Sequence, residues 1–401
     1  MVENMRNEAP VLRMGIAGLG KAGNSFIPAF LKHPNIKLAA AATRNQERLD
    51  KFAQEFKGAT YQTVEELCKS DHIDGIYIAT PTELHSEHIL MAAQHKKHII
   101  VEKPLALTLE EANKLIEAVE RNGVKMVVGH SHSFEPPIQK IREVVKSGEI
   151  GKVRMIHNWY FNDWIYRPRT TDELDTKLGG GVTFRQGSHQ FDIIRLIGGG
   201  LLRSVRAMTG VWDPKRSTEG SHAVYLEFVD GTAATAVYSG YDHFQSSELT
   251  FGIGEFGAKT STGVYAKARK TIKSLSSPEQ EIALKSTGGY GGQQKGFTDD
   301  KEHPAFFGLT VVSCEKGDIR VSPKGIYIYG DDEKYEIQLS QDETGRDRVV
   351  AELYDAVVKE RPLIHDGSWA RANLEVCLAV LESAKERKEI YLSYQVEVAD
   401  E

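Results

Sequence analysis

The sequence predicts an α/β chain in two parts, a doubly wound parallel sheet followed by an α+β domain on an open, mostly antiparallel sheet. Between residues 11 and 130, short apolar runs alternate with helix-period segments, which is how a parallel sheet with crossover helices reads. Beyond residue 150 the runs lengthen and alternate polar with apolar residues, the period of half-buried strands. Gly and Asp turns join them, as antiparallel neighbours require. The expected layout is a disordered tail over 1–10, one domain over 11–133 and a second over 134–401, with 265–304 an inserted loop region.

In order, the strand candidates of the first part are "LRMGIAG", "IKLAAAA", "IDGIYIAT", "KHIIVEKP" and "VKMVVGH". The segment between the last two is helical by several independent signs. Thr108 and Glu111 fit a capping box, Leu109, Ala112, Leu115, Ile116 and Val119 share a face, and Gly123 ends the last turn. A further helix is expected over Pro136 to Lys146. Then come the alternating runs "GKVRMIHNWYF", "LLRSVRAMTGVW", "HAVYLEFVDGTAATAVYSG", "ELTFGIG", "FGLTVVSCE" and "DIRVSPKGIYIYG". Between residues 265 and 304, charge, Gly and Pro interrupt them, with a mobile loop expected around "GGYGGQQKG". Two helices close the chain, the second placing Leu374, Cys377, Leu378, Leu381 and Ala384 on one side.

A chain of 401 residues has room for about two or three domains with real cores. Its net charge of −6 is mild, and its cations are scattered instead of clustered, which argues against a nucleic-acid partner. No run approaches the ~18 apolar residues of a membrane span, and the first ten residues carry no targeting pattern, so the expectation is a cytoplasmic protein. Cys68, Cys314 and Cys377 are too dispersed for a zinc cluster or disulfide framework, and no metal site is expected.

The first chemical signal is "GIAGLGKAGNSF", with Gly18, Gly20 and Gly23 in G-x-G-x-x-G spacing between a strand and a prospective helix. A dinucleotide pyrophosphate needs such a tight turn, close backbone approach and a helix N-terminus, here beginning with Lys21 and Ala22. About twenty positions on, where Asp or Glu would hold the ribose hydroxyl of NAD, stand Thr43 and Arg44. An arginine there can pair with a 2′-phosphate, so NAD or NADP is expected, with a lean to NADP. The second signal is "HIIVEKPLA", which puts Glu102, Lys103 and Pro104 at the carboxyl end of a strand, where open α/β sheets place ligands. An ammonium at the lip of an apolar crevice is readily pushed toward neutrality and can then accept a proton.

With "ATPTELH", "GGG" at Gly179 to Gly181 and "GSHQFD" at Gly187 to Asp192 added, the chain resembles the glucose-fructose oxidoreductase and inositol dehydrogenase family (Gfo/Idh/MocA) over nearly its whole length. The resemblance implies an N-terminal Rossmann domain, a second domain built on a mostly antiparallel sheet, and a homo-oligomer, dimer or tetramer, assembled through that sheet. It makes Lys103 the catalytic lysine, with Glu102 and Pro104 shaping the cofactor cleft. Thr80, Pro81 and His85 would line the cofactor, His189 would face the reacting hydroxyl of a small-molecule substrate, and Asp192 would support the following helix.

One position departs from the pattern. Many sugar and polyol dehydrogenases of the family carry an aspartate four residues before the histidine, where this chain has Arg185. A cation there favours an anionic substrate group. Upstream, "NDWIYRPRTTDELDTKLGGG" offers Arg167 and Arg169 for a carboxylate and Trp164 or Tyr166 for stacking on a flat ring. The same arginines can instead pair with Asp172, Glu173 and Asp175. The wording "NDWIYRPR", "GGGVTFRQGSHQFD" and "FGLTVVSCEKGDIR" resembles the branch of phthalate 4,5-cis-dihydrodiol dehydrogenases, which implies NAD(P)-dependent oxidation of a carboxylated cyclohexadiene cis-diol. A sugar, polyol or glycoside dehydrogenase, hydrolysis or epimerisation through transient oxidation with a tightly held cofactor, and a non-catalytic NAD(P)-bound sensor are the competing readings.

Overall fold

A computed structural model of the chain describes residues 9–260, 265–287, 290 and 303–399. The first sheet is built from β1 (Leu12–Ala17), β2 (Ile36–Ala42), β3 (Ala59–Tyr61), β4 (Gly75–Ile78), β5 (His98–Val101) and β6 (Met126–Val128). Their order is β3-β2-β1-β4-β5-β6, parallel throughout, with the switch between β1 and β4. Crossovers run through α1 (Lys21–Lys32), α2 (Gln46–Phe56), α3 (Val64–Lys69), α4 (His85–Gln94) and α5 (Leu109–Asn122), and α6 (Pro136–Ser147) leads out. The central strands are buried on both sides, as covered parallel strands must be. Thr108 caps α5 by accepting from the Glu111 amide, but the expected capping box is only half formed, since the Glu111 carboxylate accepts from the Leu107 amide at 3.1 Å. Gly123 ends the helix in the left-handed conformation, as the sequence predicts.

The second sheet comprises β7 (Val153–Phe161), β8 (Leu202–Gly210), β9 (Ser221–Phe228), β10 (Ala233–Ser239), β11 (Leu309–Cys314), β12 (Gly317–Ser322), β13 (Gly325–Gly330), β14 (Lys334–Gln338) and β15 (Ile390–Tyr391). Its order is β14-β13-β12-β11-β7-β10-β9-β8-β15, antiparallel except where β10 meets β7. One face is covered by helices that include α7 (Ser188–Gly198) and, near the end of the chain, Gly367–Glu386. The other exposes Met155, Trp159, Met208 and Tyr225. The described part of the expected insertion holds two short helices, α8 (Lys267–Ser274) and α9 (Pro278–Ser286). Most of "GGYGGQQKG", like residues 1–8 of the expected tail, lies outside the described residues.

Two local outcomes differ from expectation. "ELTFGIG" forms no named strand: it begins in a 3-10 turn, Ser246–Leu249, and its one bridge is an isolated antiparallel pairing of Ile253 with Lys259 within the same loop. Phe251 and Gly252 both take positive φ, which breaks extended geometry in spite of the apolar alternation. The last two helices, α10 (Gly345–Val358) and α11 (Gly367–Glu386), also divide their packing. Val349, Val350, Leu353 and Tyr354 of α10 return to the first sheet, in one core with Met14, Ile16, Tyr77, Ile100 and Val127. The Val128 amide donates to the His365 carbonyl at 2.9 Å just before α11, a further tie between the two halves.

Candidate active site

The loops at the carboxyl ends of β1, β2, β4 and β5 bring the nucleotide-site candidates to one rim. Gly18 has φ +97°, and a Cβ there would stand 2.7 Å from the Ala79 carbonyl oxygen. A Cβ on Gly23 would lie 2.0 Å from the Gly18 carbonyl oxygen, so the helix can close on the turn only without side chains. Gly20 is different: nothing lies within 4 Å of its missing Cβ. It is also the N-cap of α1, without a side-chain cap, so the first amides face an open cradle. Lys21 stands beside it, its ammonium pushed down by burial and by nearby Arg167 and Arg169. The Ala22 carbonyl accepts from Ser25 Oγ at 2.7 Å and so belongs to the turn's scaffold. Thr43 follows β2, and Arg44 is exposed without an ion pair to any described residue.

After β4, Thr80 Oγ1 lies 2.9 Å from His88 Nδ1, and Pro81 is exposed on the rim. His85 sits deeper than a cofactor-lining residue should. It is 1 % exposed, with Nδ1 2.9 Å from the Pro104 carbonyl and Nε2 3.1 Å from the Thr80 carbonyl. Burial holds the ring toward neutrality, so it can donate to one of them at a time while tying the β4 and β5 loops together. After β5, Glu102 accepts from the Tyr77 hydroxyl at 2.7 Å.

Lys103, next in the chain, is joined to Pro104 by a cis bond, and its Nζ donates to the Arg185 carbonyl at 2.5 Å. Burial pushes its ammonium down to about 8, assisted by Arg185 and opposed by Glu102 and Glu255. That carbonyl lies in a π-helical turn, Thr183–Gly187, which carries Arg185 and runs directly into α7, which carries His189. Wide turns of this kind re-aim the residues they carry.

His189 is 6 % exposed and its Nδ1 has no hydrogen-bond partner. Burial, together with Lys103, His132 and His130, holds its imidazole well below the usual value and therefore neutral. The His132 ring stands edge-on to it at 4.5 Å between centroids, and Phe307 packs at 5.1 Å. Asp192 is fully buried and accepts from Trp369 Nε1 at 2.6 Å, anchoring α7 to α11.

In the upstream loop the arginines follow the second of the two readings the sequence allows and are paired internally. Arg167 Nε pairs with Asp163 at 2.7 Å, and Arg167 Nη1 with Glu255 at 3.3 Å. Arg169 pairs with Glu173 at 3.3 Å and lies over the Trp164 ring at 3.9 Å, covering the face expected to stack on a ligand. Tyr166 donates to Asp213 at 2.9 Å. The Asp163–Arg167 and Arg169–Glu173 pairs are both local, four residues apart at the short 3-10 turns Trp164–Tyr166 and Asp172–Leu174. Arg185 is less engaged: its ion pair with Asp172 spans 3.5 Å, and its buried Nε has no partner.

Sequence reasoning missed His130, His132, Glu255 and Tyr160. His130 and His132 follow β6 in "VVGHSH", at the same sheet edge that singled out Lys103, a usable signal. Nothing local marks Glu255.

Among known proteins, a profile described as the oxidoreductase family, NAD-binding Rossmann fold, matches residues 12–130, and the GFO/IDH/MocA C-terminal domain matches 138–254. A 1-carboxy-3-chloro-3,4-dihydroxycyclohexa-1,5-diene dehydrogenase of Comamonas testosteroni is 37% identical over 377 residues, covering 93% of this chain and 95% of that one. A crystal structure described as a dehydrogenase from Bordetella bronchiseptica RB50 superposes with TM-score 0.90 at 39% identity, covering 95% of this chain and all, 100%, of its own. The WlbA dehydrogenase of Bordetella pertussis, solved with NADH and UDP-GlcNAcA, gives TM-score 0.70 at 17% identity over 96% and 98% of the two chains, a likeness of fold alone.

Proposed function

The chain belongs to the Gfo/Idh/MocA family of NAD-binding oxidoreductases, and from that premise we propose that it oxidises a secondary alcohol of a carboxylated cyclic cis-diol. The observation that carries the reading is the Lys103 ammonium, lowered to about 8 and hydrogen-bonded to the turn that bears Arg185 and leads to His189. The substrate class is supported by the Comamonas relative, whose substrate is a carboxylated cyclohexadiene diol.

The nucleotide rim fits a dinucleotide. The uncapped amides at α1 and the open space at Gly20 suit a pyrophosphate, and Lys21 adds a cation beside them. Gly18 and Gly23 shape the turn, while Glu102, Thr80 and Pro81 border the cleft. At the end of β2, Thr43 stands where a carboxylate would repel a 2′-phosphate, and exposed Arg44 can pair with one, which favours NADP over NAD. Bound there, the nicotinamide supplies the hydride acceptor.

The chain's own residues handle the proton and the orientation. Neutral Lys103 takes the hydroxyl proton as the carbon loses its hydride, and neutral His189 hydrogen-bonds the same oxygen. Arg185, with an unpartnered Nε, takes the ring carboxylate. Arg167, Arg169, Trp164 and Tyr166 build the wall behind it. Removal of two hydrogens from a cyclohexadiene diol yields an aromatic catechol, which drives the reaction forward. The exposed Met155, Trp159, Met208 and Tyr225 face supports a homo-oligomer joined through the second sheet.

The test is reduction of NAD and NADP at 340 nm, in parallel, with carboxylated and neutral cis-diols, sugars, uronates and glycosides. Turnover of carboxylated diols above all others is expected. Equal or better turnover of neutral sugars would replace this reading by that of a sugar or polyol dehydrogenase.

A further inference from the structure

His189 has no acidic neighbour free to serve it on its own helix. Arg185 precedes it, and Asp192 is committed to Trp369, with His365 Nε2 3.9 Å away on its other side. A carboxylate reaches the same cluster from a distant part of the chain. Glu255 lies in a tight loop closed by the Gly254 amide on the Ala258 carbonyl and the Gly257 amide on the Gly254 carbonyl. Its side chain is 11% exposed. One oxygen lies 3.4 Å from His132 Nε2, and the other accepts from the Tyr160 hydroxyl at 3.2 Å and pairs with Arg167 at 3.3 Å. His132 in turn places its ring edge-on to His189 and packs on Phe307 at 4.4 Å, with its own Nδ1 buried and without a partner. Glu255, His132 and His189 are thus a contiguous chain of contacts ending at the proposed reaction centre.

We propose that Glu255 is a positioning residue for the dehydrogenase reaction, fixing His132 against His189 and balancing the cations around Lys103. The inference rests on the Lys103 and His189 reading above. Burial alone would raise the Glu255 carboxyl, but Arg167 and His132 outweigh it and hold the group ionised. The groups facing Lys103 are Glu102 on its own turn, Arg185 on the π-turn, His189 on α7, His130 after β6, Arg169 in the upstream loop, Cys377 on α11, and Glu255 itself. Among them Glu102 and Glu255 are the anions that favour its ammonium.

The experiment compares pH profiles of kcat and kcat/KM for the wild type, Glu255→Gln, Glu255→Asp and Lys103→Ala. In Glu255→Gln the lost anion moves the Lys103 limb of kcat/KM to lower pH by about half a unit, since an opposite charge favours the charged form. Its kcat falls by about tenfold to a hundredfold through misplaced His132 and His189. Glu255→Asp restores the limb, because the charge returns, but not kcat, because the shorter side chain loses His132. A wild-type limb and kcat in Glu255→Gln would overturn the proposal. If that variant does not fold, wild-type kcat in Glu255→Asp would overturn it equally. Wild-type turnover by Lys103→Ala would remove the reading of the site itself, whatever Glu255 does.

Discussion

On the nucleotide rim, Arg44 is exposed without an ion pair to a described residue and α1 begins with uncapped amides, whereas on the opposing wall Arg167, Arg169, Arg216 and Lys285 are each locked to a carboxylate. Glu173 shows how tightly that wall is balanced. Burial opposes its ionisation, yet Arg169 and Lys285 hold its carboxyl at about 2. The rim leaves the first α1 amides uncapped and Arg44 without an ion pair to a described residue, while the wall pairs its cations internally. Arg185 with Asp172 at 3.5 Å is the longest of these pairs and the one to which the proposed carboxylate recognition falls. The number of arginines near a site therefore says little about its charge preference. What matters is how tightly each is held: Arg185 meets Asp172 at 3.5 Å with its Nε unpartnered, whereas Arg216 meets Glu281 at 2.9 Å.

Lys103→Ala probes that contrast most severely. It removes the proton acceptor where rim and wall meet, so kcat/KM falls by about 10²- to 10⁴-fold in the 340 nm assay. Far-ultraviolet circular dichroism should show an unchanged fold.

Acid probes the buried histidines, His130 after β6, His189 on α7 and His222 on β9. Burial lowers His130 to about 4 and His222 to about 3, and holds His189 well below 6.5. These folded-state values lie under the unfolded value of about 6.5, so the unfolded chain binds the extra protons. The contribution of these histidines to stability is complete above about pH 6.5 and is lost as pH falls toward about 4. The expected result is a Tm at pH 5 below that at pH 7.5; equal values would contradict the neutral, buried assignment.

Arg44→Ala tests the rim alone. Its charge is exposed and screened by salt, so the expected loss is modest, about threefold to tenfold in the kcat/KM ratio of NADP to NAD at low ionic strength. No change in that ratio would reassign Arg44 to the solvent.

The same contrast explains what could be read in the sequence. The glycine turn, the Lys103 strand end and the helix bearing His189 are local patterns whose spacing is set by strand, turn and helix geometry. The alternating fold classes were legible for the same reason. The wall is assembled over long separations: Lys285 meets Glu173 across 112 positions, and Arg216 meets Glu281 across 65. No short-range pattern encodes such pairs, and Glu255, which meets Arg167 across 88 positions, left no signal. The packing of Arg169 on Trp164 and its pair with Glu173 are local, and the second was among the alternatives the sequence offered. The "ELTFGIG" segment failed for a different reason, since apolar alternation does not reveal the positive φ at Phe251 and Gly252.

The measurement that bears most directly on the account is kcat/KM for a carboxylated cis-diol and its neutral analogue, each with the wild type and with Arg185→Ala. Loss of one charge-assisted hydrogen-bonding partner predicts a fall of about tenfold to a hundredfold for the carboxylated diol and little change for the neutral one. Equal effects on both substrates, or none on either, would contradict the assignment of Arg185 as the guanidinium that the wall leaves for the substrate.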